Sequence, residues 1–147
     1  MRGTRRLLGS LACAATAAAL ACAIGADDEA ALPDPMLASL GSQTFQRYCA
    51  SCHGADALGN GPAASALRTP PADLTRIAAR RGGGFPDAEI ATFIDGRFEL
   101  AAHGTREMPI WGEQLESGYA SGAARDEVVR GRILTLVEYL KSIQQPE

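Results

Sequence analysis

Two thiols and an imidazole lie within five consecutive residues, because residues 49–53 read Cys-Ala-Ser-Cys-His. The pattern C-x-x-C-H is typical of covalent attachment of a c-type haem. Each thiol adds to one vinyl group of the ring, and the two-residue gap lets both sulfurs reach neighbouring vinyl groups. The sequence therefore predicts one covalently bound haem, with Cys49 and Cys52 as thioethers and His53 as the proximal iron ligand.

The motif alone leaves two other chemistries open. A C-x-x-C pair can be a redox dithiol, and Cys and His side chains together can hold zinc. A zinc site would combine residues 49, 52 and 53 with His103, but no second spaced pair of ligands accompanies the motif. Aromatic residues make up only 5% of the 147 residues, so a buried porphyrin would supply missing core volume.

The first 26 residues have the pattern of a secretory signal. Arg2, Arg5 and Arg6 precede an apolar, alanine-rich run over residues 7–24, and small residues follow as cleavage candidates. We expect cleavage near residue 26 and a periplasmic product. Two alternatives are a retained membrane anchor, since a run of about 18 residues is marginal for a span, and a lipid on Cys22.

Processing changes both the cysteine count and the charge. Of the four cysteines, Cys13 and Cys22 lie in the signal, which leaves only the pair in the motif. Two free neighbouring thiols would be prone to oxidation in an exported protein, and attachment of haem removes that risk. Removing residues 1–26 deletes three arginines and no acids, so the net charge of −3 becomes −6. An acidic chain disfavours nucleic acid and anionic membranes as partners.

The mature chain is predicted to be all-α, because no segment alternates like a strand. Residues 27–37 form a predicted flexible lead-in, and residues 38–147 form the folded domain. The first helix is expected from Ser42, as its N-cap, to Ala50. Phe45 lies on its apolar face together with the first motif cysteine.

Later segments predict further helices separated by glycine-rich loops. Residues 54–71 form a loop whose glycines would let it pass close to a flat ligand. Residues 72–80 look helical and end before Gly82, and residues 87–95 form a short helix. The last helix is expected over residues 126–144, with Asp126 as its cap. Apolar residues recur there at helical spacing: Val129, Ile133, Leu136, Val137 and Leu140.

The sixth iron ligand is predicted to be Met108. Pro109 follows it, and a residue before proline is biased toward extended backbone, so Met108 should lie in a loop that can cover the open haem face. A thioether favours ferrous iron and raises the reduction potential. His103 is the alternative ligand and would lower the potential, whereas Met36 lies in the lead-in.

Taken in order, these motifs resemble the class I cytochromes c of the bacterial monohaem type, over about residues 38–145. Gly41 and Phe45 with the attachment motif are similar to the family's N-terminal helix. Residues 108–112, Met-Pro-Ile-Trp-Gly, are similar to its axial-methionine loop, and residues 136–141 to its C-terminal helix. The resemblance implies four or five helices around one haem, with the N- and C-terminal helices crossing at Gly41.

The resemblance also implies roles for residues around the haem. The carbonyl of Pro62, which follows Gly61, is expected to accept a hydrogen bond from Nδ1 of His53 and so orient the imidazole. Trp111 and Arg106 are expected near the propionates. The chain has a single lysine, Lys141, so the ring of lysines with which mitochondrial members dock their partners is absent.

These features predict an exported one-electron carrier, not an enzyme by itself, with iron cycling between Fe(III) and Fe(II) under His/Met ligation. Its partners would be protein donors and acceptors, bound transiently, and the mature form would have no membrane span. One alternative is the haem c subunit of a dehydrogenase or oxidase complex. Another is a haem enzyme or gas sensor with a displaceable sixth ligand.

Overall fold

The computed structural model describes residues 32–97, 108–116 and 122–146. These residues are helical and contain no strand, which confirms the all-α prediction. The α-helices among them are α1 (Pro35–Tyr48), α2 (Ala50–His53), α3 (Asp87–Asp95), α4 (Trp111–Gln114) and α5 (Ala123–Ser142). Short 3-10 turns lie at Ala64–Ala66, Leu74–Arg76 and Ala79–Arg81.

Several predictions from the sequence lie outside these residues. The signal over residues 1–26, the possible lipid site Cys22, and the side chains of His103 and Arg106 all fall there. Within the described residues, no helix has the length and apolar character needed to cross a bilayer.

Helix α1 begins earlier than the sequence suggested. The Asp34 carboxylate accepts hydrogen bonds from the backbone N–H groups of Met36 at 2.8 Å and Leu37 at 2.9 Å. Pro35 occupies the first turn, where its missing N–H costs nothing. The start predicted at Ser42 is therefore wrong, and the lead-in predicted over residues 27–37 overlaps this helix.

Helices α1 and α5 pack together at Gly41, as the resemblance implied. A Cβ at Gly41 would overlap the backbone carbonyl oxygen of Thr135 and lie 2.8 Å from Cβ of Tyr139. The adjoining space is filled by Phe45, which is 1% exposed and whose ring centroid lies 5.1 Å from that of Tyr139. Only glycine lets the two backbones approach this closely.

The apolar face of α5 supplies much of the core. All five apolar residues predicted for it are buried, and they join Phe45, Ala57, Ile94 and Leu115 in one cluster. The helix bounds differ from the prediction. The Gly122 carbonyl accepts from the N–H groups of Arg125 and Asp126, so Asp126 lies inside the first turn and is not the cap.

The segment between α2 and α3 differs from the prediction, whereas α3 has the predicted bounds. The helix expected over residues 72–80 is replaced by two 3-10 turns. The Asp73 carboxylate accepts from the Thr75 N–H at 2.8 Å and from its hydroxyl at 2.6 Å, which favours a tight local turn. On α3, Ile94 is buried, whereas Phe93 is 52% exposed.

Candidate functional site

The attachment motif lies where α1 ends and α2 begins. Cys49 is the C-cap residue of α1 and the N-cap residue of α2. Its carbonyl accepts hydrogen bonds from the N–H groups of Cys52 at 3.1 Å and His53 at 2.9 Å. One helical turn therefore fixes the spacing of the two thiols and the imidazole.

The loop after the motif folds back along α2 and accounts for its carbonyls. The N–H groups of Gly59, Gly61 and Ala63 donate to the carbonyls of His53, Cys52 and Ser51 at 2.7, 3.1 and 2.8 Å respectively. A short helix leaves such groups without internal partners, so these bonds hold it in place.

Gly61 permits the close contact of this loop with α2. A Cβ there would overlap the carbonyl oxygen of Ser51 and lie 2.7 Å from that of Ala50. Gly61 therefore allows the loop to approach the helix backbone closely. Passage of this loop close to a flat ligand stays a prediction.

The imidazole of His53 is oriented by a backbone carbonyl other than the predicted one. Its Nδ1 lies 3.2 Å from the carbonyl oxygen of Ala72, so the acceptor predicted at Pro62 is wrong. The N–H groups on either side of Pro62 hold the loop against α2, whereas the Leu74 N–H, donating to the Ala57 carbonyl at 2.8 Å, brings Ala72 to the ring. Contact of Pro62 with the haem stays a prediction.

Burial favours the neutral imidazole. It lowers the pKa of His53, and the hydrogen bond with the Ala72 carbonyl opposes this only in part. When Nδ1 donates to that carbonyl, Nε2 keeps its lone pair free for a metal ion. This is the form that an iron ligand requires.

The pKa of the Cys49 thiol differs from that of a reactive C-x-x-C pair. Burial, with a smaller contribution from the neighbouring Cys52, raises the pKa of Cys49 to about 12. Reactive C-x-x-C pairs have lowered thiol pKa values, so the dithiol alternative is disfavoured. Within the described ranges, no three His, Cys, Asp or Glu side chains group to hold a metal ion, and the zinc alternative needs His103, which lies outside them.

The segment that begins at Met108 lies beside the attachment motif. Met108 and Cys49 are both partly buried and pack against the same core cluster. Trp111 lies edge-on to the ring of Tyr48, with the centroids 5.9 Å apart and the planes at 62°. Tyr48 directly precedes Cys49, so this contact brings the methionine segment close to the two thiols. In the sequence the segment lies far from them.

The comparison with known families agrees with this arrangement. Residues 37–125, more than half of the chain, match the family described as cytochrome c oxidase, cbb3-type, subunit III. The chain belongs to this family. A cytochrome c domain carries covalently bound haem c and transfers electrons, so the haem prediction is confirmed. No curated protein and no solved structure matches the chain.

The donor set of this cytochrome domain fits haem c. It comprises two half-buried thiols one turn apart, an imidazole with Nε2 available, and a partly buried thioether on a segment beside them. The number of haems, the ligand assignment and the predicted contact of Trp111 with the propionates stay predictions.

Sequence reasoning missed the groups that support the methionine segment of the cytochrome domain. Gly112 packs against Asp95 and Arg97, and the Leu115 carbonyl accepts from Arg132 at 2.6 Å. The only signals in the sequence were the glycine itself and the Asp-Gly-Arg run that begins at the last residue of α3. Neither pattern indicates a contact between segments so far apart in the chain.

Proposed function

We propose that this protein is an exported one-electron carrier in which His53 and Met108 are the axial ligands of one haem c. Cys49 and Cys52 would form its thioether links. The observation that carries the proposal is the edge-on contact of Trp111 with Tyr48, because it places the methionine segment against the end of α1 where the motif begins.

Each residue has a distinct task in this proposal. The thioethers fix the ring, and His53, oriented through its Nδ1, presents Nε2 to the iron. Met108 offers a soft neutral sulfur, which favours the ferrous state and raises the reduction potential. Bound haem c supplies the one-electron Fe(III)/Fe(II) couple, and the protein tunes and shields it.

The outer side of the attachment motif is the proposed site of electron exchange. Ser51 and Ala55 are exposed there, whereas Cys49 and Ala50 face the core. A partner could approach this side without disturbing the α1–α5 joint. Complexes of electron-transfer proteins are typically small and short-lived, which suits a docking area of this kind.

A second candidate is the haem subunit of an oxidase complex, which the match to the family of cbb3-type oxidase subunit III favours. A carrier and a subunit differ in their assembly. Native electrophoresis of gently solubilised membranes from the source cells separates them: a subunit migrates with membrane proteins in one haem-stained band, and a carrier is recovered as a free monomer.

Absorption spectra of holoprotein, made in a host that matures c-type haem, test the ligand assignment. We expect sharp reduced bands of thioether-linked haem and the weak far-red ferric band of a methionine–iron bond. Met108→Ala should abolish the far-red band, because no other thioether replaces it. Met36→Ala is the matched control, since Met36 is 75% exposed on α1, and it should leave the band unchanged.

The remaining outcomes identify the alternatives. If the band persists in Met108→Ala, the assignment is wrong. Loss of the low-spin ferric spectrum in His103→Ala would establish His103 as the ligand. Ready binding of carbon monoxide by the ferrous wild type would support the enzyme or sensor class.

A further inference from the structure

We propose that Arg97, held by Asp95, is a positioning residue that keeps Met108 on the iron by supporting the one-turn helix α4. This inference rests on the proposed ligation by Met108. The inference goes beyond that ligation, because it names the ion pair that sets how often Met108 leaves the iron.

The pair is well ordered by its own bonds. Nε and one terminal nitrogen of Arg97 donate to the two carboxylate oxygens of Asp95 at 2.7 and 2.8 Å. The other terminal nitrogen donates to Asp126 at 2.9 Å, in the first turn of α5. Asp95 is only 8% exposed. A two-pronged bond of this kind fixes the guanidinium plane as well as its charge.

Helix α4 rests directly on this pair. A Cβ at Gly112 would overlap Oδ1 of Asp95 and Nε of Arg97, and would lie 2.7 Å from Cδ of Arg97. Gly112 is itself buried. The backbone of α4 therefore has no room to move toward the ion pair, which acts as its support on this side.

Movement of α4 reaches Met108 through a short connection. Only Pro109 and Ile110 separate the methionine from Trp111, where α4 begins, and Pro109 has a restricted backbone. The far end of the segment is held as well, because Leu115 is 1% exposed and its carbonyl bonds to Arg132. With that end anchored, the Asp95–Arg97 pair determines where the methionine end can lie.

Binding of imidazole to the ferric holoprotein measures how often the sixth position is open. The apparent dissociation constant is inversely proportional to the open fraction, so a site that opens more often binds imidazole more tightly. We expect Arg97→Met to tighten imidazole binding about tenfold, within the range of coupling between contacting residues. Gly112→Ala should act in the same direction. Arg97→Lys should be intermediate, because an ammonium cannot reproduce the fork.

Lys141→Met is the matched control. It also breaks a partly buried ion pair between α5 and α3, that of Lys141 with Asp87 at 2.9 Å, but this pair lies at the start of α3, away from α4. It should lower the thermal midpoint while leaving imidazole affinity at the wild-type value. Arg97→Lys keeps the charge, so it provides a folded variant if Arg97→Met does not load haem.

Each outcome decides between the two proposals. Tighter binding in the Arg97 and Gly112 variants, with the Lys141 variant unchanged, supports the positioning role. Equal affinity in the Arg97 variants and the wild type overturns that role but leaves ligation by Met108 intact. If the wild type already binds imidazole as tightly as Met108→Ala does, ligation by Met108 fails and the positioning role fails with it.

Discussion

At the scale of single residues, the groups that prepare the site are mostly not the ones that the sequence reveals. Cys49, Cys52 and His53 are recognisable because their types and spacing carry the chemistry. The group that orients His53 is a backbone carbonyl, that of Ala72, and every residue type has one. No pattern of side chains could therefore have identified it, and the resemblance pointed to Pro62 instead.

Asp95 should make stability depend on acid pH. Hydrogen bonds from Arg97 lower the pKa of Asp95, although burial opposes them. A carboxylate whose pKa is lower in the folded state stabilises the fold at pH values above its unfolded pKa of about 3.9. This stabilisation is lost as the pH falls through the folded pKa. We expect the free energy of unfolding to decline below about pH 4, and more steeply in the wild type than in Asp95→Asn.

Guanidinium titrations between about pH 3 and pH 7 measure this dependence. Near neutral pH, Asp95→Asn should be less stable by about 1.5–3 kcal/mol, the range for hydrogen bonds to charged groups. Asp126→Asn is the control, because its carboxylate is about half exposed in the pair with Arg97 and its replacement should cost little stability. Parallel curves for the wild type and Asp95→Asn would contradict the assignment.

At the scale of elements, periodic segments were predicted well and capped or tightly turned ones were not. The apolar spacing of α5 correctly indicated that helix, and α3 has the bounds that were predicted for it. The predicted start at Ser42 missed Asp34 followed by Pro35, although this pair is a good helix start. The 3-10 turns depend on local bonds of Asp73, which propensity does not weigh.

The α1–α5 joint should be very sensitive to Gly41. Alanine there would place a Cβ against the rigid backbone of α5, so the helices must separate. Overpacking of this kind costs about 1–3 kcal/mol, which outweighs the gain of up to about 1 kcal/mol from replacing glycine within a helix. We expect a net loss of stability in Gly41→Ala, measured by thermal or guanidinium unfolding of the holoprotein.

Gly131→Ala is the matched control for this prediction. Gly131 lies on α5, is exposed, and has open space where its Cβ would be. It should be neutral or more stable by up to about 1 kcal/mol. If both alanine variants behaved alike, helix propensity alone would explain the data and the close approach at Gly41 would carry no energetic weight.

At the scale of the whole molecule, charge is spread unevenly along the chain. Between α2 and α3, four arginines outnumber two aspartates, namely Arg68, Arg76, Arg80 and Arg81 against Asp56 and Asp73. The remainder is acidic, and the net charge of the processed chain would be −6. A partner thus meets two opposing influences, the field of the whole protein and that of the arginine-rich segment.

Ionic strength determines which influence dominates during encounter. At about 0.01 M the Debye length is about 30 Å, which is comparable to the diameter of a small domain, so the net negative charge governs the approach of a partner. At about 0.1 M it falls to about 10 Å, and only charges near the contact matter. We expect a cationic cobalt complex to oxidise the ferrous protein more slowly as salt rises over this range, and ferricyanide to do so faster.

Stopped-flow rates with the two reagents test this at fixed pH, because reagents of opposite charge reverse the sign of any field effect. A rate that falls with salt for the cobalt complex and rises with salt for ferricyanide would show that the acidic field steers partners. It would favour a natural partner with basic residues around its docking site. Slopes of the reversed sign would mean that the arginine-rich segment lies beside the point of electron exchange. Arg76→Gln and Arg80→Gln should then weaken those slopes, whereas Arg130→Gln, an exposed arginine on α5, should not.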